Sequence, residues 1–564
     1  MKKRYAILGI ALTATLALTG CSAGGSTTEN TVGVSGEPVT GGTLNVLANA
    51  DFSHLDPTMG FDGGVNNFYR LIYRTLTTQS TGEGAEGTEM VPDLATDLGT
   101  PNADATEWTF TLKDDIFFED GTPITSADVK FGVERGFDPA LSAGSPYARI
   151  LLADTDGYQG PYISGDLSSI QTPDEKTIIF SLNKSYADFP SVVGQNSFVP
   201  FPVDGDVTVT SPDKQPIASG PYRVEKYERG SKLTLVRNEF WDAKTDDVRK
   251  AYPDSFVWTF GLDGSTIDER MIANQNTDKN AIAGSVQAAS ISRIQTDAIK
   301  ARTIDGIQGC TTYMTMNTTK ENMSNPLVRQ AISYAIDKTS VQAGTGGTLL
   351  ADVANTMLPP TVAGQADFNL YPSEGNAGDP EKAKELLAEA GLPNGFEFTL
   401  DIRNQPKMQA QAEAVQQSLA KAGITVKFNL IDTATYYEVI GTTSQQNDAA
   451  ITGWCPDWST GATFLPPLFD GRMIFDKGNS NVAQFNDAAV NSRIDEINAM
   501  TDVNEANAAW GALDEQILAL APDVPLLYEK TVMVVGSNIA GAYSHAGFSG
   551  GIDYVSVGLA SVSK

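Results

Sequence analysis

Histidine is almost missing: the 564 residues include two, His54 and His545. Neither falls in an HxxxH-type or CxxC-type spacing, so a metal centre or imidazole catalysis would need the fold to bring both together. Cysteine is as scarce, with Cys21, Cys310 and Cys455 alone, too few for a disulfide-dense scaffold or a thiolate cluster. Basic residues are outnumbered, 39 against 69 acidic, for a formal net charge of −30. A chain this acidic, with no basic stripe interleaved with aromatics, repels phosphate backbones, which argues against nucleic acid as a partner. The acidity itself reads as general solubility. Beyond the N-terminus no apolar run approaches the roughly 20 residues that span a bilayer.

What is present begins with an address. Lys2, Lys3 and Arg4 precede an apolar run from Tyr5 to Leu18, and Leu18-Thr19-Gly20-Cys21 follows. The run is too short to span and reads as a secretory signal over residues 1–20. Residues 21–40, rich in Gly, Ser, Thr and Asn, cannot bury enough apolar surface to order themselves and read as a flexible tether. Loss of the three basic residues with the signal would leave the mature chain near −33, and about 520 residues after the tether suffice for two or three lobes. Without Cys21, Cys310 and Cys455 remain, an even pair in an oxidising compartment. They are either a disulfide, worth on the order of 4–5 kcal/mol in the chain-entropy model, or two separate buried thiols.

The first half reads as strands and loops. GGTLNVLAN is a strand and residues 66–76 a helix. EWTFTLKDDIFFEDGTPIT alternates around a D-G turn as a hairpin, and Ser126 is the candidate cap of the helix that follows. DEKTIIFSLN and SKLTLVRNEFW are further strands. From about Thr311 strands and helices alternate, with Asp379-Pro380 opening one helix and Gly391 ending it, which predicts βαβ units and a largely parallel sheet. GWCPDWSTGATFLPPLF, Gly453–Phe469, then lies just past the carboxyl end of the DAAIT strand, where ligands bind in open α/β sheets.

Other patterns carry little. Gly82–Gly87 fits GxGxxG, but TEMVPDL opens no helix after it and two glutamates would repel a pyrophosphate, so it reads as a loop. Gly547–Gly551 fits GxSxG, yet only 13 residues follow, leaving no room for triad partners, and Ser549 reads as a turn serine. Asp114-Asp115 and Asp246-Asp247 read as solvated turns. No nucleophile–base set emerges, so the reading is no enzyme, no catalytic residue, no metal and no cofactor.

Several segments in order carry a resemblance. His54-Leu-Asp-Pro57, DGTPITSADVKFGVER (120–135), SGPYRVEKYERGSKLTLVRNEFW (219–241), NPLVRQAISYAIDK and DPEKAKELLAEAG resemble the extracytoplasmic solute-binding proteins of ABC importers, in the dipeptide and oligopeptide family (family 5). Leu18–Cys21 resembles a lipobox, whose cysteine is acylated. The resemblance implies an α/β, two-lobe periplasmic-binding-protein (Venus flytrap) fold. The N-terminal lobe would be 41–309, with an extra subdomain at about 77–210 and a return at 529–564; the second lobe would be 310–528. It further implies a monomer held to the membrane through Cys21, enclosing a short peptide and delivering it to an ABC permease.

In peptide-binding members the segment matching the opening stretch reads roughly GWCADYNEPTSFL, and its aspartate meets the peptide α-ammonium. The resemblance puts Asp457 in that role, pairs Cys310 with Cys455, and makes Trp454 and Trp458 apolar walls. On the opposite lobe it implies that Ala50, Asp51 and Phe52 pair with the ligand backbone as an added strand; Tyr69 is a weaker wall candidate, more plausibly core-facing. Thr460-Gly461 stands where those members have Glu-Pro. That leaves an oligosaccharide, a metal chelate or another small solute as the alternative ligand.

Overall fold

The computed structural model describes residues 36–60, 63–141, 144–203, 215–432 and 435–562. Cys21, the signal and most of the tether lie outside the described residues. Two sheets organise the molecule. The first has five strands in the order Ala281–Ala283, Thr43–Leu47, Ser255–Thr259, Lys232–Arg237, Tyr222–Glu228. Its first three strands run parallel and the rest antiparallel. The second has six, in the order Ala351–Val353, Asp523–Val534, Thr303–Met316, Ala449–Trp454, Glu397–Arg403, Thr425–Ile431. A four-stranded antiparallel sheet lies between residues 100 and 181. Among the described residues no helix is long and apolar enough to cross a membrane.

Two long strands join the main bodies. Thr303–Met316 and Asp523–Val534 pair antiparallel along most of their length. Ile304 and Met533 are buried in the core of the five-stranded sheet, whereas Met314, Met316, Val524 and Leu526 are buried in the core of the six-stranded one. Their pairing slips between Ile307 and Thr311, and such a bulge bends and twists a strand locally. The bend falls where the chain passes from one core to the other.

The largest apolar cluster runs from the 76–198 region, around Trp108, Phe110 and Phe189, into residues 357–362 and 458–518. Two hydrogen bonds accompany it, Ala187 N–H to Asn498 O at 3.0 Å and Thr88 Oγ1 to Thr361 O at 2.9 Å.

Two resemblance-bearing segments meet in the interior. Asp56 of the Leu-Asp-Pro stretch pairs with Arg135 Nη2 at 2.8 Å, with neither side chain more than 1% exposed. The Arg135 guanidinium also lies 4.1 Å from the Phe201 ring centroid. Charge, hydrogen bonds and a π face together offset the desolvation of both ions.

Local differences from the sequence reading have physical causes. The helix cap is Thr125, not Ser126: Asp128 accepts from Thr125 N–H at 2.8 Å, while the Ser126 hydroxyl donates to Asp174 O. The expected hairpin at 107–125 shrinks to one bridge, Phe117 with Pro123, because Glu107–Thr111 pairs instead with Thr177–Ser181. The Gly82–Gly87 loop contains a short helix, Gly84–Thr88. The six-stranded sheet is parallel only across its last three strands, since the two long crossing strands pair antiparallel. Asp246 is no solvated turn: it is 5% exposed and bound to Arg249 at 3.1 Å, within a buried set that includes Arg74 and Asp93. Four opposite charges close that set, so none is buried unpaired.

Candidate functional site

The Gly453–Phe469 stretch departs from the sheet under tight control. Trp454 is the last residue of its strand and pairs with Thr311. One residue further, Cys455 is joined to Cys310 by a disulfide. The loop beyond is closed on itself: Trp454 Nε1 donates to Thr463 O at 2.9 Å, and Thr463 Oγ1 donates to Trp458 O at 3.0 Å. Gly461 fits because a Cβ there would sit 2.3 Å from Trp510 Cβ. Any side chain at that point, a proline included, would collide with Trp510.

Asp457 sits at the head of this loop and borders two chambers that share lining residues. The first, about 170 Å³, is lined by Asn66, Gln308, Gly309, Asp457, Trp458 and Ser549 with their neighbours. The second, about 40 Å³, is lined by Arg70, Gln79, Gln195 and Asn196, again with Asn66, Asp457 and Trp458. Residues from the five-stranded body, the 77–196 region and the six-stranded body thus converge on these two neighbouring chambers. The Asp457 side chain stays open to the cavity, yet the surrounding protein is dense enough for burial to push its carboxyl above the usual range. A hydrogen bond donated by the Tyr147 hydroxyl opposes that rise. Among the described residues no lysine or arginine ion-pairs with Asp457.

Trp458 is 2% exposed. Its indole N–H donates to Asp188, which also accepts from Thr460 Oγ1 at 2.6 Å and Ser191 Oγ at 2.8 Å. The Tyr147 ring stands edge-on to the indole, centroids 4.5 Å apart. Burial pushes the Asp188 carboxyl up to about 6 against the pull of those three donors. Tyr147 and Asp188 therefore clamp the 457–460 loop from the 77–210 side.

The residues expected in the site divide. Asp457 and Trp458 line the cavity; Trp454 is half-buried against the core and lines none of the chambers described. Ala50 and Phe52 border a third cavity of about 240 Å³ at the carboxyl end of Thr43–Leu47, with Trp258, Phe260 and Tyr554. Phe52 stacks on Phe68 at 4.3 Å. Asp51 is engaged elsewhere, accepting from Gly230 N–H at 2.6 Å and Tyr227 Oη at 2.9 Å. The strand ends at Leu47, and it is internal to its sheet rather than an edge. Tyr69 is 1% exposed and donates to His54 O and Asp56 O. Ser549 closes a turn with φ 54°. His545 is buried, its pKa lowered to about 4 by that burial, and faces Ser80 O at 3.1 Å.

Tyr147 and Asp188 escaped the sequence reading. Each lies some 270 or more residues from its partner, and neither belongs to a chemical motif. A tyrosine or aspartate in loop-rich sequence gives no local signal of a distant contact.

Residues 89–475 match the model of the bacterial extracellular solute-binding proteins, family 5, middle region. Heme-binding protein A of Haemophilus influenzae is 26% identical over 542 residues, covering 91% of this chain and 92% of that one. Glutathione-binding protein GsiB of Shigella dysenteriae is 24% identical over 521 residues, covering 88% and 91%. Among solved structures, clavulanic acid biosynthesis oligopeptide binding protein 2 superposes with a TM-score of 0.84 at 33% identity, covering 94% of this chain and 98% of that one.

Proposed function

The chain belongs to the bacterial extracellular solute-binding proteins of family 5, and we propose that it captures short peptides by their free α-ammonium and delivers them to an ABC permease. The observation that supports the reading is Asp457, a carboxylate facing an open cavity with no ion-pair partner among the described residues, whose pKa burial raises. Desolvating such a carboxylate is costly unless a cation meets it. A ligand ammonium supplies that cation only when the cavity is closed around it, so binding favours the closed arrangement by differential interaction.

On this reading residues 41–309 with the 529–564 return form one lobe and 310–528 the other, the 77–210 subdomain closing over the Asp457 loop. Cys21 carries the lipid that holds a monomeric mature protein at the membrane surface. Its role is capture rather than turnover. Relatives are named for heme, glutathione and oligopeptides; a chelate, a sugar or another small solute is the competing ligand class. A sugar is disfavoured because Trp458 offers no open face for ring stacking: Tyr147 covers it and Asp188 takes its N–H.

Native mass spectra of the purified protein with a pool of tripeptides, free or N-acetylated, test the reading. Free-amine peptides should be retained, and acetylation or Asp457→Asn should each weaken retention roughly tenfold or more. Equal retention of acetylated peptides, or hexose-spaced adducts in place of peptides, would sink it.

A further inference from the structure

The third cavity, about 240 Å³, is larger than either chamber beside Asp457 and shares no lining residue with them. It lies at the carboxyl ends of the parallel strands Ala281–Ala283, Thr43–Leu47 and Ser255–Thr259, the end of an α/β sheet at which ligands bind. Four rings, Phe52, Trp258, Phe260 and Tyr554, make much of its wall aromatic. The helix Gly264–Ala273 adds the one charged residue that lines it, Asp268.

Asp268 is 5% exposed, on a helix whose only other buried residue is Met271. Its Oδ2 accepts from Gln287 N–H at 3.1 Å. Gln287 lines the same cavity, which puts the carboxylate itself at the wall. Among the described residues no second hydrogen bond and no ion pair reaches that carboxylate. The cations close to it in sequence are engaged elsewhere: Arg270 with Asp278, Arg293 with Glu269, and Arg302 with the carbonyls of Met271 and Val535. A carboxylate withdrawn from water is costly unless a cation meets it.

The walls narrow the occupant. An anion would be repelled, and a neutral apolar group would leave the carboxylate dry. A metal ion finds one carboxylate among rings, too few oxygens for a hard cation. An organic cation fits both parts, its charged head on Asp268 and its alkyl stem against the rings, where charge pairing is stronger than in water. The size agrees, since about 240 Å³ falls below the roughly 300 Å³ at which pockets for drug-sized ligands begin. Entry is open: Gly284, Ser285 and Gln287 on the wall are exposed, and a Cβ on Gly284 would meet no atom within 4 Å. We propose that this cavity is a second binding site, for an alkylguanidinium or alkylammonium, with Asp268 as its counter-ion. The site is complete without Asp457, so it does not rest on the peptide reading. Its cation is either a free small amine or the basic side chain of a larger ligand.

Calorimetric titration of the purified wild type, Asp268→Asn and Asp457→Asn is the test, with butylguanidine and its neutral counterpart butylurea as probes. Butylguanidine should bind the wild type and Asp457→Asn at least about tenfold tighter than butylurea, and Asp268→Asn should erase that preference. Asparagine keeps an acceptor for Gln287 N–H; where the variant nevertheless fails to fold, persistence of the preference in Asp457→Asn still tests the site. Ala-Arg-Ala against Ala-citrulline-Ala separates the two sources. An arginine preference lost in Asp268→Asn assigns the site to a ligand's basic side chain; equal peptide affinities beside selective butylguanidine binding assign it to a free cation. No charged-over-neutral preference in either pair, or one that Asp457→Asn abolishes and Asp268→Asn leaves intact, would overturn the site while leaving peptide capture at Asp457 standing.

Discussion

Replacing Asp188 with asparagine probes the contact between the 77–210 region and the Asp457 loop. The carboxylate accepts from the Trp458 indole N–H and from the Thr460 and Ser191 hydroxyls. An asparagine keeps one carbonyl acceptor and introduces two donors among three. At least one native donor then goes unsatisfied, a loss of about 1–3 kcal/mol. Against this stands the cost of keeping the charge. Burial lifts the carboxyl from 3.8 to about 6, which corresponds to about 3 kcal/mol of penalty once the group is fully ionised. At pH 7.5 the two effects oppose, and Asp188→Asn should change stability by only about 1–2 kcal/mol either way. At pH 5 the balance differs. A carboxyl whose folded pKa is raised gives stability that is fully present below its unfolded pKa, near 3.8, and is lost as pH rises through about 6. From pH 7.5 to 5 the wild type should gain about 1.4 kcal/mol through this group, and the asparagine variant none. Urea unfolding of both proteins at the two pH values isolates the difference, since all other titrations cancel. An identical wild-type-to-variant gap at pH 7.5 and 5 would refute a carboxylate held against its own desolvation.

Three further outcomes follow from the same geometry. Tyr147→Phe removes the hydrogen bond that lowers the Asp457 pKa; Asp457 should then protonate at higher pH, and the acid limb of a peptide affinity–pH profile should move upward, whereas an unmoved limb would place Tyr147 outside the site. Cys310→Ser with Cys455→Ser opens a loop of sequence separation 145, and unfolding titrations should show a loss on the order of 4–5 kcal/mol, together with weaker ligand binding because the clamp next to Asp457 is gone. Arg135→Ala leaves Asp56 charged and buried, so denaturation should register about 3–5 kcal/mol of destabilisation, far beyond what an exposed arginine would give.

Much of the second body was legible because its helices announce both ends. Asn325, Asp379 and Asp502 cap helices through their side chains, and Pro326 and Pro380 occupy first turns where no amide donor is missed. The buried strands Glu397–Arg403 and Ala449–Trp454 were equally plain as apolar runs. The partners of strands were not. Nothing local in Glu107–Thr111 says that it pairs with Thr177–Ser181 rather than with the chain just after its turn. Pairing is decided by which apolar faces reach a common core, a property of the whole chain. The same limit hid the character of Asp246, which reads as a turn residue until Arg74 and Arg249 arrive.

The site shows that limit at its sharpest. Two tryptophans beside an aspartate suggest walls for a ligand; Trp458 does line the cavity, Trp454 does not, and each indole also has a structural partner. Trp454 ties the loop to Thr463 O. Trp458 is engaged by Asp188 and covered by Tyr147. Both are amphipathic side chains used as such, an apolar body for packing and one N–H for a fixed partner. Their effect on Asp457 is indirect, through the loop they hold. The disulfide on one side and the buried Trp458 on the other fix the loop that carries the carboxylate. On the proposed reading, a carboxylate whose pKa burial raises costs free energy in the empty protein, and a cationic ligand that relieves the cost would gain affinity from it. The strength of recognition at Asp457 would, on that reading, be set largely by residues that need never touch the ligand.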